Sequence, residues 1–117
     1  MSLRRRLHAF IYAGRGIIDL FRHTPNARIH LAAASVVIAT AAYVEVSRAE
    51  WYWLIACIGA VLVAEAFNTA IEYLTDLVSP DYHPLAGKTK DVAAGAVLLA
   101  AITAAVIGAI ILGPYLL

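Results

Sequence analysis

The sequence predicts an all-α membrane protein in one domain over residues 1–117, with an N-terminal amphipathic surface helix and three transmembrane helices. Hydrophobic residues make up 62% of the 117 residues, against about 45–50% apolar residues in typical soluble domains. The apolar runs match a hydrocarbon core of roughly 30 Å. The basic residues concentrate on one side of these runs, as in multi-pass membrane proteins.

Residues 3–22 are expected to form the surface helix. Apolar residues recur at three- and four-residue steps from Leu3 to Phe21, and a mostly basic face lies opposite them. A cationic face of this kind suits the anionic inner leaflet of a membrane.

Three further segments, 28–46, 51–78 and 91–114, are predicted to be membrane helices. The sequence Thr24-Pro25-Asn26 separates the surface helix from the first span. Trp51, Tyr52 and Trp53 follow a short polar turn and supply an aromatic belt where the chain re-enters the membrane. Residues 79–84, which include two prolines, end the second span.

The distribution of basic residues predicts the orientation. Eight of the nine Lys and Arg residues precede the first span or lie between spans two and three, and only Arg48 lies on the other side. We therefore expect a cell-membrane protein whose N-terminus and 79–90 loop are cytoplasmic. Nucleic acid is not expected as a partner, because no basic patch stands free of the membrane segments.

A polar stripe in the second span carries the main chemical signal. Its residues are spaced three, four and four apart and fall within an arc of about 80° on one helix face. They are Glu65, Asn68, Glu72 and Asp76. A carboxylate inside a membrane is costly and marks a functional site by default. It can act as a general base at lipid depth or bind a hard cation nearer water, although an interhelical hydrogen-bond ladder remains an alternative.

A second cluster lies in the predicted loop after the stripe. It contains Asp81, Tyr82, His83, Lys88, Lys90 and Asp91. Lysines beside cation-binding carboxylates suit phosphate transfer, which depends on positioning and charge neutralisation. The chain has no GxxxxGK[ST] loop, so a nucleotide would need another geometry. A solvated, positive-inside loop is the simpler alternative.

Together these residues resemble a known family. The pattern ExxNxxxExxxD at 65–76, an acidic-Tyr-His turn at 81–83, Gly87, a Lys-Asp pair at 90–91 and the stretch 94–97 resemble the bacterial diacylglycerol kinase and undecaprenol kinase family. The resemblance extends upstream through residues 12–16 and 26–30, and so covers essentially the whole chain.

The resemblance implies a small homotrimeric lipid kinase whose active sites are shared between subunits and use ATP and Mg²⁺. Glu65 would be the base that activates the lipid hydroxyl, Glu72 would hold the cation, and Asn68 and Asp76 would support them. Positions matching nucleotide contacts are Arg5, Tyr12, Glu72, Asp81, Tyr82, His83, Lys90 and Asp91. Positions matching the lipid substrate site are Glu65, Asn26, Arg28, His30 and Ala94.

Two positions qualify what the resemblance implies. Thr24 stands where some members carry a metal-binding glutamate, so we expect the metal site to be assembled differently. The sequence Arg28-Ile29-His30 resembles the signature of undecaprenol kinases, which favours undecaprenol over diacylglycerol as the acceptor.

The sequence therefore predicts ATP-dependent phosphorylation of a membrane lipid alcohol, either undecaprenol or diacylglycerol. A small ion or proton transporter is the alternative, because intramembrane carboxylates also form relays and cation paths. A noncatalytic assembly subunit is a third possibility, since the last span offers small residues for helix packing. The transporter would have no need of the second cluster, and the assembly subunit would leave Glu65 in the membrane without a reason.

Overall fold

A computed structural model describes residues 2–117, and these residues form four α-helices with no β-strand among them. The helices are α1 (Leu3–His23), α2 (Pro25–Val44), α3 (Arg48–Val78) and α4 (Pro84–Leu116). The last three are each long and apolar enough to cross a membrane. The prediction of an all-α membrane fold with three spans is confirmed.

Helix α1 joins α2 through a single residue. Thr24 is extended and serves both as the C-cap of α1 and as the N-cap of α2. Pro25 fits the first position of α2, where its missing N–H has no partner to lose. This helix consequently begins at Pro25 and not at the predicted residue 28. The guanidinium of Arg28 reaches back and donates to the carbonyl oxygens of Phe21 and Arg22, at 3.4 and 2.9 Å.

A tight turn connects α2 to α3. Glu45 adopts the left-handed conformation with φ of 56°, and the N–H of Val46 donates to the carbonyl of Ala41. Ser47 and Glu50 then form a capping box, in which each side chain accepts from the other residue's backbone N–H. This cap starts α3 at Arg48, before the predicted residue 51.

The turn between α3 and α4 is shorter than predicted, because only residues 79–83 lie outside helices. The Nδ1 atom of His83 accepts from the N–H of Leu85, and Pro84 occupies the first helical position. Helix α4 therefore begins at Pro84 instead of 91. The predicted loop residue Lys90 lies on a helix, which fixes the direction of its side chain.

Helix α3 is the centre of the molecule, packing most extensively on α4 and also on α1 and α2. Near the α2–α3 turn, Ala41, Val46, Leu54 and Ile111 form a buried apolar cluster. With 31 residues, α3 is about 47 Å long. It exceeds the hydrocarbon thickness, so its polar end can project beyond the apolar layer.

Candidate functional site

The polar stripe of α3 runs from the interior of the molecule to its surface. Glu65 is 1% exposed, whereas Asn68 is half-buried and Glu72 and Asp76 are exposed. Burying a carboxylate requires compensating contacts. The stripe therefore places chemically similar groups in different surroundings along one helix face.

The buried end of the stripe contacts a histidine from the neighbouring helix. The Nε2 atom of His30 on α2 lies 3.3 Å from Oε1 of Glu65. Within residues 2–117, neither carboxylate oxygen of Glu65 has a hydrogen-bond partner, and Oδ1 of Asn68 has none either. Three buried acceptor atoms are thus available to a hydroxyl donor or a cation.

The exposed end of the stripe borders a cavity at the α3–α4 turn. This cavity of about 170 Å³ is lined in part by Asp76, Asp81, Tyr82, His83 and Lys90. The Nζ atom of Lys90 lies 2.7 Å from Oδ1 of Asp76. The structure therefore gathers these five predicted site residues around one opening.

Thr24 contacts the middle of the stripe. Its hydroxyl lies 3.2 Å from the hydroxyl of Thr69, which is buried on α3 between Glu65 and Glu72. The described residues contain no group of three or more His, Cys, Asp or Glu side chains that could hold a metal ion. Thr24 therefore joins the α1–α2 corner to the stripe, and its role toward a metal stays a prediction.

Helix α1 is tied to α3 by a polar contact that no sequence pattern indicates. The hydroxyl of Tyr73 donates to Oδ2 of Asp19 at 2.6 Å, and Nδ1 of His23 lies 2.8 Å from Oδ1. The hydrogen bond from Tyr73, with a smaller contribution from the charge of His23, lowers the pKa of Asp19. The carboxylate therefore remains ionised and available to Tyr73 at neutral pH.

The remaining predicted residues lie apart from the cavity. Arg5 and Tyr12 are exposed on α1, and the Arg15 guanidinium lies 5.7 Å from the centre of the Tyr12 ring. Asp91 and Ala94 are exposed on α4, and Asn26 and Arg28 are exposed at the start of α2. The single chain does not bring these six residues into the α3–α4 cavity.

An apolar cavity begins beside the His30–Glu65 pair. It measures about 150 Å³ and lies among α2, α3 and α4. Besides His30, its lining consists of Ala33, Ala34, Val37, Ile58, Val61, Leu62, Ala101 and Ala104. His30 consequently lies where a polar pair meets a hydrocarbon-lined space.

Two contacts of the site were missed because they join residues far apart in sequence. Thr69 lies on the same face as Glu65, but nothing in its spacing identifies Thr24 as its partner. His30 was assigned to the lipid region without a partner. The rule that an intramembrane carboxylate needs a nearby polar group would have justified searching the other helices for it.

Chemically, the arrangement combines a buried carboxylate with a charged surface opening. A carboxylate with free acceptor atoms can take a proton from a hydroxyl. A lysine at the surface can neutralise a phosphate, and carboxylates can bind a hard cation. Along α3, Glu65 and Asp76 are about 16 Å apart.

Comparison with known proteins adds independent information. The model of the family described as prokaryotic diacylglycerol kinase matches residues 11–112. An undecaprenol kinase from Bacillus subtilis (strain 168) is 41% identical over 115 residues, which cover 98% of this chain and 94% of that protein.

Two further relatives are named diacylglycerol kinases. A diacylglycerol kinase from Synechocystis is 41% identical over 114 residues, covering 95% of this chain and 64% of its own length. A diacylglycerol kinase from Escherichia coli (strain K12) is 29% identical over 108 residues, which cover 92% of this chain and 88% of that protein. Relatives with either name thus match nearly the whole of this sequence.

Proposed function

The chain belongs to the prokaryotic diacylglycerol kinase family, and from that premise we propose that it transfers the γ-phosphoryl group of ATP to the hydroxyl of a membrane lipid alcohol at the cytoplasmic interface. The observation that carries this proposal is the buried Glu65 carboxylate, whose oxygens lack hydrogen-bond partners within residues 2–117. The Lys90–Asp76 pair supports it, because Asp76 lies on the same face of α3 as Glu65.

Glu65 would act as the general base. It takes the hydroxyl proton while the alcohol oxygen forms a bond to the γ-phosphorus, and the bond from that phosphorus to the β,γ-bridging oxygen breaks to release ADP. Asn68, one turn away, has a free buried Oδ1 that can accept from the substrate or a bound water. Burial of the base keeps bulk water away from the reacting hydroxyl.

The α3–α4 cavity would receive the phosphates of the nucleotide. Lys90 supplies positive charge, and its contact with Asp76 holds the ammonium at the rim of the cavity. The neighbouring positions Asp81, Tyr82, His83 and Asp91 would contact the rest of the nucleotide. Arg5 and Tyr12 would approach from α1, or from α1 of a second subunit.

Magnesium suits the oxygen donors of the stripe. Mg²⁺ is usually held by one or two carboxylates together with substrate phosphates, so a preformed cluster of three side chains is not required. Glu72 would hold the ion, and the Asn68 oxygen could assist it. Thr24 would affect the site indirectly, through its contact with Thr69 on α3. When bound, the ion supplies charge neutralisation at the phosphates.

The acceptor that we favour is undecaprenol, with diacylglycerol as the alternative. The undecaprenol kinase relative aligns over more of its own length than the Synechocystis diacylglycerol kinase does. Asn26, Arg28, His30 and Ala94 would contact the lipid. The apolar cavity beside His30 would take part of its chain.

The proposed reaction sets the orientation and the assembly. ATP is a cytoplasmic substrate, so the N-terminus and the α3–α4 turn would face the cytoplasm, as the basic residues predict. We also propose a homotrimer with active sites shared between subunits. A trimer would bring the separated residues of one chain close to those of another.

The test is transfer of phosphate from labelled ATP, with magnesium, to undecaprenol and diacylglycerol offered separately in mixed micelles to the purified protein. We expect labelled lipid, and more of it with undecaprenol. Label in diacylglycerol alone would reassign the acceptor. No label in either lipid, with folded protein, would reject the kinase and favour the transporter alternative.

A further inference from the structure

We propose that His30 is a positioning residue that orients the Glu65 carboxylate toward the lipid hydroxyl. The proposal rests on the proposed function, in which Glu65 is the base. His30 lies on α2 and Glu65 on α3, so the contact fixes a side chain of one span against the next.

The contact between His30 and Glu65 is short and mostly shielded from solvent. The Nε2 atom of His30 lies 3.3 Å from Oε1 of Glu65, and the two side chains are 25% and 1% exposed. Within the described residues, His30 is the only basic side chain at ion-pair distance from Glu65. A charged or polar group at this depth normally faces a partner, and His30 supplies it.

The other polar neighbours make no hydrogen bond to Glu65. Thr69 is on the same face of α3 as Glu65, but its hydroxyl pairs with Thr24. The side-chain amide of Asn68 carries N–H donors, but no hydrogen bond joins it to Glu65 within residues 2–117. The imidazole of His30 is therefore the group that can restrict the rotamer of Glu65.

The same geometry leaves the base open to substrate. Neither oxygen of Glu65 has a hydrogen-bond partner within residues 2–117. The imidazole lies against Oε1, so Oε2 stays open to the lipid hydroxyl. Proton transfer requires heavy atoms within about 2.6–3.2 Å. A glutamate without a fixed neighbour would spread its carboxylate over several rotamers and satisfy this requirement less often.

His30 also borders the space from which the hydroxyl would come. It lines the apolar cavity of about 150 Å³ among α2, α3 and α4. A lipid alcohol whose chain packs along this cavity would bring its polar end to the His30–Glu65 pair. The residue that orients the base thus lies at the entrance used by the acceptor.

Substitution at His30 tests the proposal, because a positioning residue should affect kcat much more than the KM for ATP. His30→Leu should lower kcat roughly 10- to 100-fold, because misplacing a reacting group by about 1 Å can cost 100-fold. The KM for ATP should change less than about twofold. His30→Gln should recover most of kcat, since its amide offers an N–H at similar reach.

His23→Leu is the matched control, because His23 is an exposed histidine that contacts Asp19 and not Glu65. It should leave kcat unchanged. An equal loss of kcat in His30→Gln and His30→Leu, or a rise in the KM for ATP as large as the fall in kcat, would overturn the positioning role. If His30→Leu does not fold, His30→Gln and His30→Asn replace it, and only the longer amide should retain activity.

Infrared spectroscopy gives a second readout that does not depend on turnover. The band of the Glu65 carboxyl group is assigned by its loss in Glu65→Gln. We expect this band to shift in His30→Leu and to stay in place in His23→Leu. An unshifted band would reject the contact even in an active enzyme, whereas a shifted band in a protein that phosphorylates neither lipid would reject only the proposed function.

Discussion

At the scale of single residues, depth distinguishes the two glutamates of the stripe. Glu65 and Glu72 lie on the same face of α3, but Glu65 is enclosed by helices while Glu72 is exposed. A buried carboxylate with free acceptor atoms suits proton abstraction, and an exposed one can reach a hydrated cation with its phosphates. Neutralising each side chain should therefore impair a different step, proton abstraction for Glu65 and cation binding for Glu72.

Neutralising each glutamate separates the two roles. Glu65→Gln should lower kcat by about 10²- to 10⁴-fold, the usual contribution of a general base. ATP binding should be largely unchanged. Glu72→Gln should weaken magnesium-dependent ATP binding as well as turnover. Equilibrium binding of a labelled ATP analogue, measured beside kcat, distinguishes the two.

Glu45→Gln is the control, because Glu45 is a carboxylate in the α2–α3 turn, at the other end of the spans. Glu45→Gln should retain both kcat and magnesium-dependent ATP binding. Equal loss of nucleotide affinity in the Glu65 and Glu72 variants would contradict the assignment.

Lys90 should matter for nucleotide binding and little for stability. Its contact with Asp76 joins side chains that are 39% and 64% exposed, and exposed ion pairs contribute only about 0–1 kcal/mol. Lys90→Gln should therefore raise the KM for ATP about tenfold or more while the unfolding temperature changes little.

Lys88→Gln provides the matched control, since Lys88 lies on the same helix but does not line the α3–α4 cavity. Steady-state kinetics and thermal unfolding in detergent measure the two effects. A large fall in unfolding temperature with unchanged KM would show that the Lys90–Asp76 pair is structural.

At the scale of helices, polar contacts and caps fix how the elements meet. Helix α1 lies against α3 through the Tyr73–Asp19 hydrogen bond and against α2 through Arg28. The turns are similarly specified, with Ser47 and Glu50 capping the start of α3. Tyr115 donates to Glu50 at 2.6 Å and ties the end of α4 to that cap. Each of these contacts can be removed by one substitution.

Attachment of α1 should depend on pH only under acidic conditions. The hydrogen bond from Tyr73 lowers the pKa of Asp19 below its ordinary value of 3.8. A lowered folded-state pKa means that the contact stabilises fully above pH 3.8 and is lost as the pH falls through the folded-state value. Amide protection factors over residues 3–23, obtained from hydrogen exchange corrected for the intrinsic rate at each pH, should therefore be high at neutral pH and fall on acidification.

Tyr73→Phe should lower those protection factors at neutral pH and remove most of their acid dependence. Tyr52→Phe, an exposed tyrosine near the start of the same helix, should have no effect. Unchanged exchange in Tyr73→Phe would mean that apolar contacts alone hold α1 in place.

The α2–α3 turn carries backbone strain at Glu45. Its φ of 56° is in the left-handed region, which costs an L-residue roughly 1–2 kcal/mol, whereas glycine adopts it freely. Glu45→Gly should raise the free energy of unfolding by about 0.5–1 kcal/mol, after the added flexibility of the unfolded chain is counted. Glu45→Val should lower the free energy of unfolding by about 1 kcal/mol or more. Unfolding in detergent by denaturant measures both, and a stabilising Val would contradict the strained turn.

At the scale of the whole molecule, the site of one chain is spread out. About 16 Å separate Glu65 from Asp76 along α3, and Arg5 and Tyr12 are exposed on α1. Reacting atoms must approach within about 3–3.5 Å for transfer. A second copy of the chain that supplies part of the nucleotide site would shorten this gap.

Mixing inactive subunits tests that arrangement. Glu65→Gln and Lys90→Gln should each have low activity alone, and coexpression of the two should restore part of it if one active site takes Glu65 and Lys90 from different chains. Coexpression of two differently tagged Glu65→Gln chains should restore nothing. Absence of recovery in mixed oligomers, verified by copurification of both tags, would place the site within one chain.

The sequence by itself determined the membrane class, the number of spans and the polar face of α3. Length and apolar composition decide whether a helix can cross a bilayer, and the three- and four-residue spacing of Glu65, Asn68, Glu72 and Asp76 puts them on one face. Both signals are local, so they can be read without knowing which helices are neighbours.

Only the tertiary structure decided which residues of different helices meet. The pairs His30–Glu65, Thr24–Thr69 and Asp19–Tyr73 depend on the positions and rotations of packed helices, which apolar patterns leave open. The same holds for the early start of α4, because a His83 cap and Pro84 turn a predicted loop into the helix that carries Lys90. Contacts between elements arise from packing geometry, and one helix's pattern cannot specify them.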